Sequence, residues 1–366
     1  MTFDEASKEF RLTSNFKKIK LVQLQATENC LINEVKKIID ARGELIVLTD
    51  DDEIFCFRKN DGTFLRQIGG FGESSGEYIE IGDIYYNEKD NTVNIIDNKK
   101  GFIVTYGLEG NFVSHKKMDV PVSWMESAER STDGYMMICN RITGGTPASE
   151  FAYTILRPNE EYSGIDPFAP IGVKGFTSTF ASRPMAVGNK GFTFLKFLND
   201  TVFTMDKGEI RPLYKLSMKK KMPDKDVVAQ MGSFSEKELW KMCRTSNYFS
   251  GFDKLFETKQ YIVLIPKIFS DEGYYWIDKT NGKGIHVPSF NEFALEVDMM
   301  LQGRSIINIV SCNDCEIISC FNSDFVEDFR KELTENPDMN LFDARLKPFF
   351  ENADSEGNPC LVIYEN

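Results

Sequence analysis

Apolar residues in this chain collect in six short runs, each opened by a turn signal. The runs are Glu44 to Asp50 (ELIVLTD), Thr92 to Asp97 (TVNIID), Tyr135 to Asn140 (YMMICN), Phe192 to Phe197 (FTFLKF), Tyr261 to Pro266 (YIVLIP) and Cys315 to Cys320 (CEIISC). Arg42-Gly43, Asp90-Asn91, Asp133-Gly134 and Asn189-Lys190-Gly191 are among the turns before them. Several runs are continuously apolar. A strand with one wet face alternates, so these strands are expected to be covered on both sides, as when sheets stack on one another.

Each run has a partner rich in aromatic or branched residues: Ile54 to Arg58, Phe102 to Tyr106, Phe151 to Leu156, Val202 to Met205, Tyr274 to Ile277 and the terminal Cys360 to Tyr364. The first two units place Asp50 against Asp97 and Gly62 against Gly110, offsets of 47 and 48 residues. That is the period of a four-stranded propeller blade. The last unit lacks one strand, and Ile19 to Leu24 (IKLVQL) is a spare strand with no unit of its own. Pairing these two segments closes a ring and hides edges that would otherwise face water.

The expected fold is therefore all-β: a single six-bladed β-propeller domain over residues 1–366, its ring closed by N- and C-terminal strands in the last blade. Two helical insertions are expected, near 219–250 and 323–357. In the first, SEKELWKMCR starts at Ser235 as a helix cap. In the second, Phe325, Val326, Phe329 and Leu333 fall at helical spacing.

The stretch from Ile68 to Phe112 resembles the signature of a family of six-bladed, NHL-like propellers found as envelope proteins of Gram-negative gut bacteria. The shared positions are Gly69, Gly70, Gly72, Gly76, Glu77, Tyr78, Asp97, Tyr106 and Gly110. Ser75 stands where the family pattern has Pro. The ending EGNPCLVIY and the segment from Asn199 to Tyr214 are further, looser matches. The resemblance implies the propeller fold, export to the periplasm or cell surface, and a lipid anchor upstream of the first residue here. It supplies no catalytic residues.

Charge and composition narrow the chemistry. With Lys+Arg 43 against Asp+Glu 56, the net charge is −13, a balance that repels nucleic acid and anionic membrane surfaces. No run is long and apolar enough for a transmembrane helix, and MTFDEASKEF has neither the basic flank nor the apolar core of a signal peptide. The eight cysteines are scattered, and only His115 and His286 are available as imidazoles. Neither lies at metal-ligand spacing, so no metal site and no cofactor is expected. Cys312-Asn313-Asp314-Cys315 reads as a hairpin whose two-residue turn is Asn-Asp, with the cysteines facing each other across the strands. The run Gly70-Phe71-Gly72-Glu73-Ser74-Ser75-Gly76 has one residue too many for a dinucleotide fingerprint. A strand follows it, so it lacks the helix N-terminus that holds a pyrophosphate.

What remains is a set of polar residues just after the apolar runs. Asp50, Asp97, Arg141, Asp200 and Lys267 occupy equivalent places in the repeat, which in a propeller gathers them on one face around the channel mouth. Such a ring suits a glycan, peptide or protein partner. The leading expectation is a non-enzymatic binding module. The alternative is a polysaccharide lyase or glycoside hydrolase that uses carboxylates at the same mouth.

Overall fold

The computed structural model describes residues 1–5, 16–118, 125–140, 151–157, 165–170, 182–188, 191–196, 199–224, 226–227, 236–249, 251–267, 273–287, 308–335 and 347–365. Two strands lead, β1 (Phe3–Glu5) and β2 (Lys18–Gln23). The first antiparallel sheet is β3 (Val35–Ala41), β4 (Glu44–Thr49), β5 (Ile54–Arg58) and β6 (Phe64–Gln67). The second is β7 (Ile81–Asn87), β8 (Thr92–Asp97), β9 (Phe102–Gly107) and β10 (Phe112–Lys117). The third is β11 (Met125–Arg130), β12 (Met136–Asn140), β13 (Phe151–Leu156) and β14 (Ile165–Pro170). The fourth is β15 (Met185–Gly188), β16 (Gly191–Leu195), β17 (Thr201–Asp206) and β18 (Glu209–Lys215). The fifth is β19 (Phe252–Glu257), β20 (Tyr261–Pro266), β21 (Tyr274–Asp278) and β22 (Lys283–Val287). The sixth uses β23 (Asn308–Cys312), β24 (Glu316–Phe321) and β25 (Cys360–Glu365), and β2 supplies its fourth strand.

These are the blades of a six-bladed β-propeller. The expected closure is present: β2 runs antiparallel to β25, with Ile19 opposite Tyr364 and Leu21 opposite Val362. One strand was not legible beforehand. The short, polar β1 adds to the edge of β22 in parallel, with the Phe3 ring edge-on to Tyr275 at 4.9 Å.

The chain divides into two compact units. One holds β1 and the four sheets from β7 to β22, and the other holds the β3–β6 sheet, the closing sheet and the C-terminal helices. Within the first unit, β12 explains why its run is apolar throughout. Met136 and Ile138 pack with Tyr85, Ile96 and Ile103 of the preceding sheet, whereas Met137 and Cys139 pack with Phe192, Phe194 and Met205 of the following one. Alternate residues thus serve two different cores, and at roughly 1.5–3 kcal/mol per buried large side chain both faces contribute. Trp276 is packed inside its sheet, edge-on to Tyr261 at 5.3 Å.

In the second unit, Leu45, Val47, Phe55 and Phe57 pack against Val310, Ile318, Leu361 and Ile363 of the closing sheet. Three helices among the described residues fall inside the expected insertions: α1 (Glu236–Thr245) in the first unit, α2 (Phe325–Glu335) and α3 (Lys347–Asn352) in the second. Phe329 of α2 meets Phe350 of α3 at 4.9 Å. Ser235, the expected helix cap, lies outside the described residues.

Gly62, in the turn between β5 and β6, is fixed by geometry. Its φ is +72°, and a Cβ there would sit 2.0 Å from the Gln23 carbonyl oxygen, while Gln25 N–H donates to the Gly62 carbonyl at 2.9 Å. Gly62→Ala is expected to cost about 2 kcal/mol, from left-handed backbone strain plus the forced shift of β2. Thermal unfolding measures this, and an unchanged midpoint would contradict it.

The Cys312 hairpin differs from expectation. Asn313 and Glu316 pair through both backbone hydrogen bonds, so the turn is Asp314-Cys315, and Cys312 lies opposite Ile317. The Asn313 side chain accepts the Cys315 amide at 2.9 Å, which favours this one-residue slip of the turn. Cys312 and Cys315 therefore do not face each other.

Candidate functional site

The glycine-rich loop of Phe71 to Tyr78 is closed on itself. Phe71 and Tyr78 bridge in parallel, Gly72 N–H donates to the Tyr78 carbonyl at 2.9 Å, and the Tyr78 ring is buried. Ser74 N–H donates to the Glu77 carboxylate at 2.9 Å. That amide first, the Ser74 hydroxyl next and the Lys100 charge last hold the Glu77 carboxyl below its ordinary range. A Cβ on Gly72 would fall on the Glu77 carboxylate, and one on Gly76 would sit 3.3 Å from the Phe112 ring. The interior of the loop is filled by the Lys100 ammonium, which donates to the carbonyls of Gly72 (2.8 Å), Ser74 (3.2 Å) and Glu77 (2.9 Å). The Tyr106 hydroxyl donates to the Gly76 carbonyl. A phosphate loop turns N–H groups inward. This one turns carbonyls inward and already holds a cation, so the family signature Gly72, Gly76, Glu77 and Tyr78 encodes a braced turn.

Of the polar residues expected after the apolar runs, Asp97 ends β8, Asp50 and Lys267 follow directly on β4 and β20, and Asp200 stands immediately before the third strand β17. Asp97, Asp200 and Lys267 belong to one unit and Asp50 to the other, and Arg141 lies outside the described residues. Asp97 is fully buried. One carboxylate oxygen accepts the amides of Lys99 and Lys100, each at 2.9 Å, and the other accepts the Ile79 amide at 2.8 Å. Asp50 accepts the Glu34 amide and the Asn33 side chain, each at 3.1 Å. Asp200 accepts the Thr201 hydroxyl at 3.2 Å and lies 3.7 Å from the Lys215 ammonium. Lys267 is buried, and its amide donates to the Gly251 carbonyl at 3.0 Å. The carboxylates of Asp50 and Asp97 thus fasten the chain entering the first strand of their sheets.

A second polar set went unnoticed in the sequence. The first strands of five sheets each carry a bulge after an apolar residue: Val35/Lys37, Ile81/Asp83, Met125/Ser127, Phe252/Lys254 and Ile309/Ser311. The extra residue re-aims the polar side chain that follows. In the first unit Asp83 of this set, together with polar residues beside the other bulges, stitches neighbouring sheets. Asp83 accepts the Ala128 amide at 2.7 Å, Arg183 pairs with Glu129 at 3.1 Å, and Asp253 accepts the Ser182 amide and hydroxyl at 3.0 and 2.7 Å.

Polar groups of a different kind line a groove of about 500 Å³ between the fourth and fifth sheets of that unit. That size lies within the range of small-ligand sites. Its floor is Gly188, Gly191 and Thr193; its walls come from β18 on one side and the ends of β19 and β21 on the other. A Cβ on Gly191, at φ +106°, would lie 2.0 Å from the Met205 carbonyl. In β18 the register skips between Pro212 and Tyr214, which oppose Phe203 and Val202. Leu213 is the bulged residue, 40% exposed and facing the groove. Across from it, Lys279 donates to Glu257 at 2.6 Å and to the Thr258 carbonyl at 2.7 Å. Burial first, then the charges of Glu257 and Asp278, raise the Tyr214 phenol above its ordinary value. Arg211 and Lys259 also line the groove, and among the described residues neither side chain has an ion-pair or hydrogen-bond partner. These residues escaped notice because single cations in strands and turns look like solvated surface; only the stacking of the fourth sheet on the fifth unites them.

The family described as "Domain of unknown function (DUF4934)" matches residues 2–365. The chain belongs to the DUF4934 family. No curated protein matches it. The DUF4934 chain is similar to the crystal structure of a candidate exported protein from Bacteroides fragilis NCTC 9343, at 17% identity, with a TM-score of 0.78 and coverage of 100% of this chain and 99% of that one. It is also similar to a member of the DUF4221 family from Bacteroides vulgatus ATCC 8482, at 10% identity, with a TM-score of 0.51 and coverage of 96% and 98%. At such identities the likeness carries the fold.

The thiols of this DUF4934 protein are mostly sealed. Six of the eight are buried, Cys312 is half-buried and Cys315 is exposed. Burial pushes the Cys56 and Cys360 thiols up to about 12, and Cys30 to about 11 against the opposing hydrogen bond of Asn358. Because the thiolate is the nucleophile, iodoacetamide on the native protein is expected to label Cys315 first and the buried six only on unfolding. Peptide mass spectrometry reads the order; rapid native labelling of Cys56 would contradict it.

Proposed function

We propose that this protein is a non-enzymatic binding module of the bacterial cell envelope, a single six-bladed domain over residues 1–366 that recognises a glycan, peptide or protein partner. The groove beside β18 carries this reading, because it keeps the Arg211 and Lys259 side chains uncommitted, while polar residues such as Asp83, Glu129 and Arg183 of the same unit hold sheets together. A rigid sheet framework with side chains held ready at a groove suits recognition. The family match over residues 2–365 supports treating the chain as one domain, and likeness to a candidate exported Bacteroides protein supports export to the periplasm or cell surface.

Glycan and peptide arrays, run beside a polysaccharide-digestion screen on the purified chain, test the reading. Binding without product is the expected result. New reducing ends or unsaturated uronates would overturn it in favour of a hydrolase or lyase. Cell fractionation with protease shaving tests the location, and a cytosolic protein would defeat that half of the proposal.

A further inference from the structure

We propose that the groove between the fourth and fifth sheets binds a sugar acid, a mono- or oligosaccharide whose terminal ring carries a carboxylate; this rests on the binding-module reading above. The sign of the charge comes first. The chain as a whole has 56 acidic against 43 basic side chains, yet the groove is lined by Arg211, Lys259 and Lys279 against Asp206 and Glu257. Lys279 and Glu257 neutralise each other at 2.6 Å. Arg211 and Lys259 are left with no acidic partner among the described residues, so the mouth attracts an anion. The planar guanidinium of Arg211 suits a carboxylate in bidentate geometry, and the Lys259 ammonium adds a point charge.

The rest of the lining restricts what the anion is attached to. Leu213, turned outward by its bulge, and the neighbouring Tyr214 offer an apolar and aromatic wall against which a ring face can pack. Thr193 and Thr204 bring hydroxyls to the floor, and Asp206 is an acceptor at the same groove. These groups match a ligand with several hydroxyls. A ligand with an apolar ring face, a set of hydroxyls and one carboxylate is an acidic sugar. An extended peptide is a poorer match. β18 is the edge strand of its sheet, and strand addition there would need backbone donors, but Pro212 has no N–H at the centre of the groove wall.

Isothermal titration of the full chain with trigalacturonate, triglucuronate, the neutral galactose trimer and acetate tests the proposal. At least one uronide is expected to bind about tenfold or more tightly than the neutral trimer, and raised salt is expected to weaken it. Acetate is expected to bind too weakly to measure, because it brings charge without ring or hydroxyls. Arg211→Ala and Lys259→Ala are each expected to weaken uronide binding about fivefold to tenfold. Both residues are exposed, so their thermal midpoints are expected to match the parent, and a Lys116→Ala control on the exposed strand β10 is expected to bind like the parent. Equal affinity for the neutral trimer, or uronide affinity unmoved by either groove variant, would overturn the sugar-acid assignment while leaving a binding module in place. Failure of both uronides to bind would also overturn it, and the arrays then show separately whether any ligand is bound. Cleavage of a uronide would count against the binding-module reading itself.

Discussion

A chain ended at Asn358 is expected not to fold. The deletion removes β25, which lies between β2 and β24 and hydrogen-bonds to both. Cys360, Leu361, Val362, Ile363 and Tyr364 are each 0% exposed. At roughly 1.5–3 kcal/mol for each fully buried large side chain, their loss totals about 10 kcal/mol, comparable to the whole stability of an ordinary domain. β2 would also lose its antiparallel partner, and the apolar face around Leu45, Val47 and Phe57 would be opened in part. Circular dichroism and solubility after expression read the outcome; a soluble truncated protein with a cooperative transition near the parent midpoint would refute the prediction. Deleting residues 1–5 is the control. That removes only the short parallel strand β1 at a sheet edge, and a shift of a few degrees is expected.

Asp97→Ala is expected to be the most damaging single substitution among the residues first singled out as ligand candidates. Three backbone amides, those of Ile79, Lys99 and Lys100, depend on its carboxylate, and the residue is 0% exposed. Each buried donor left without an acceptor costs about 1–3 kcal/mol, so with partial rescue by water the total is about 4 kcal/mol. Asp97→Asn retains one acceptor oxygen for Lys99 and Lys100 but turns an amide group toward Ile79 N–H, and about half that loss is expected. Chemical denaturation of the three proteins orders them as parent, Asn, Ala. If Asp97→Ala unfolds at the parent denaturant concentration but loses a ligand, Asp97 is a binding residue instead of a fastening.

Several parts of the fold were readable because they depend on local pattern. The six apolar runs became β4, β8, β12, β16, β20 and β24, since a strand covered on both faces has no polar position to spare. The closing pair of β2 and β25 followed from counting strands. What escaped was decided by tertiary partners. β1 is three residues of mixed character, FDE, and is a strand only because β22 offers an edge. The Cys312 turn slipped by one residue because the Asn313 side chain captures the Cys315 amide, a local competition invisible in residue type. The bulges at Lys37, Asp83, Ser127, Lys254 and Ser311 looked like polar interruptions of strands.

The site was less legible than the fold for the same reason. Position in the repeat singled out Asp50 and Asp97, and that position is where a strand entry needs acceptors. The groove draws Arg211 from within β18 and Lys259 from the turn after β19, and the segment that carries α1 separates these two strands in sequence. Nothing in their local sequence sets them apart from other surface cations.

Strand β25 also sets a schedule. It is made after every other strand and lies in the interior of its sheet. β2 therefore has no partner until the chain has been made through β25. Completion of the closing sheet depends on a contact of very long sequence separation, the kind that makes folding slow.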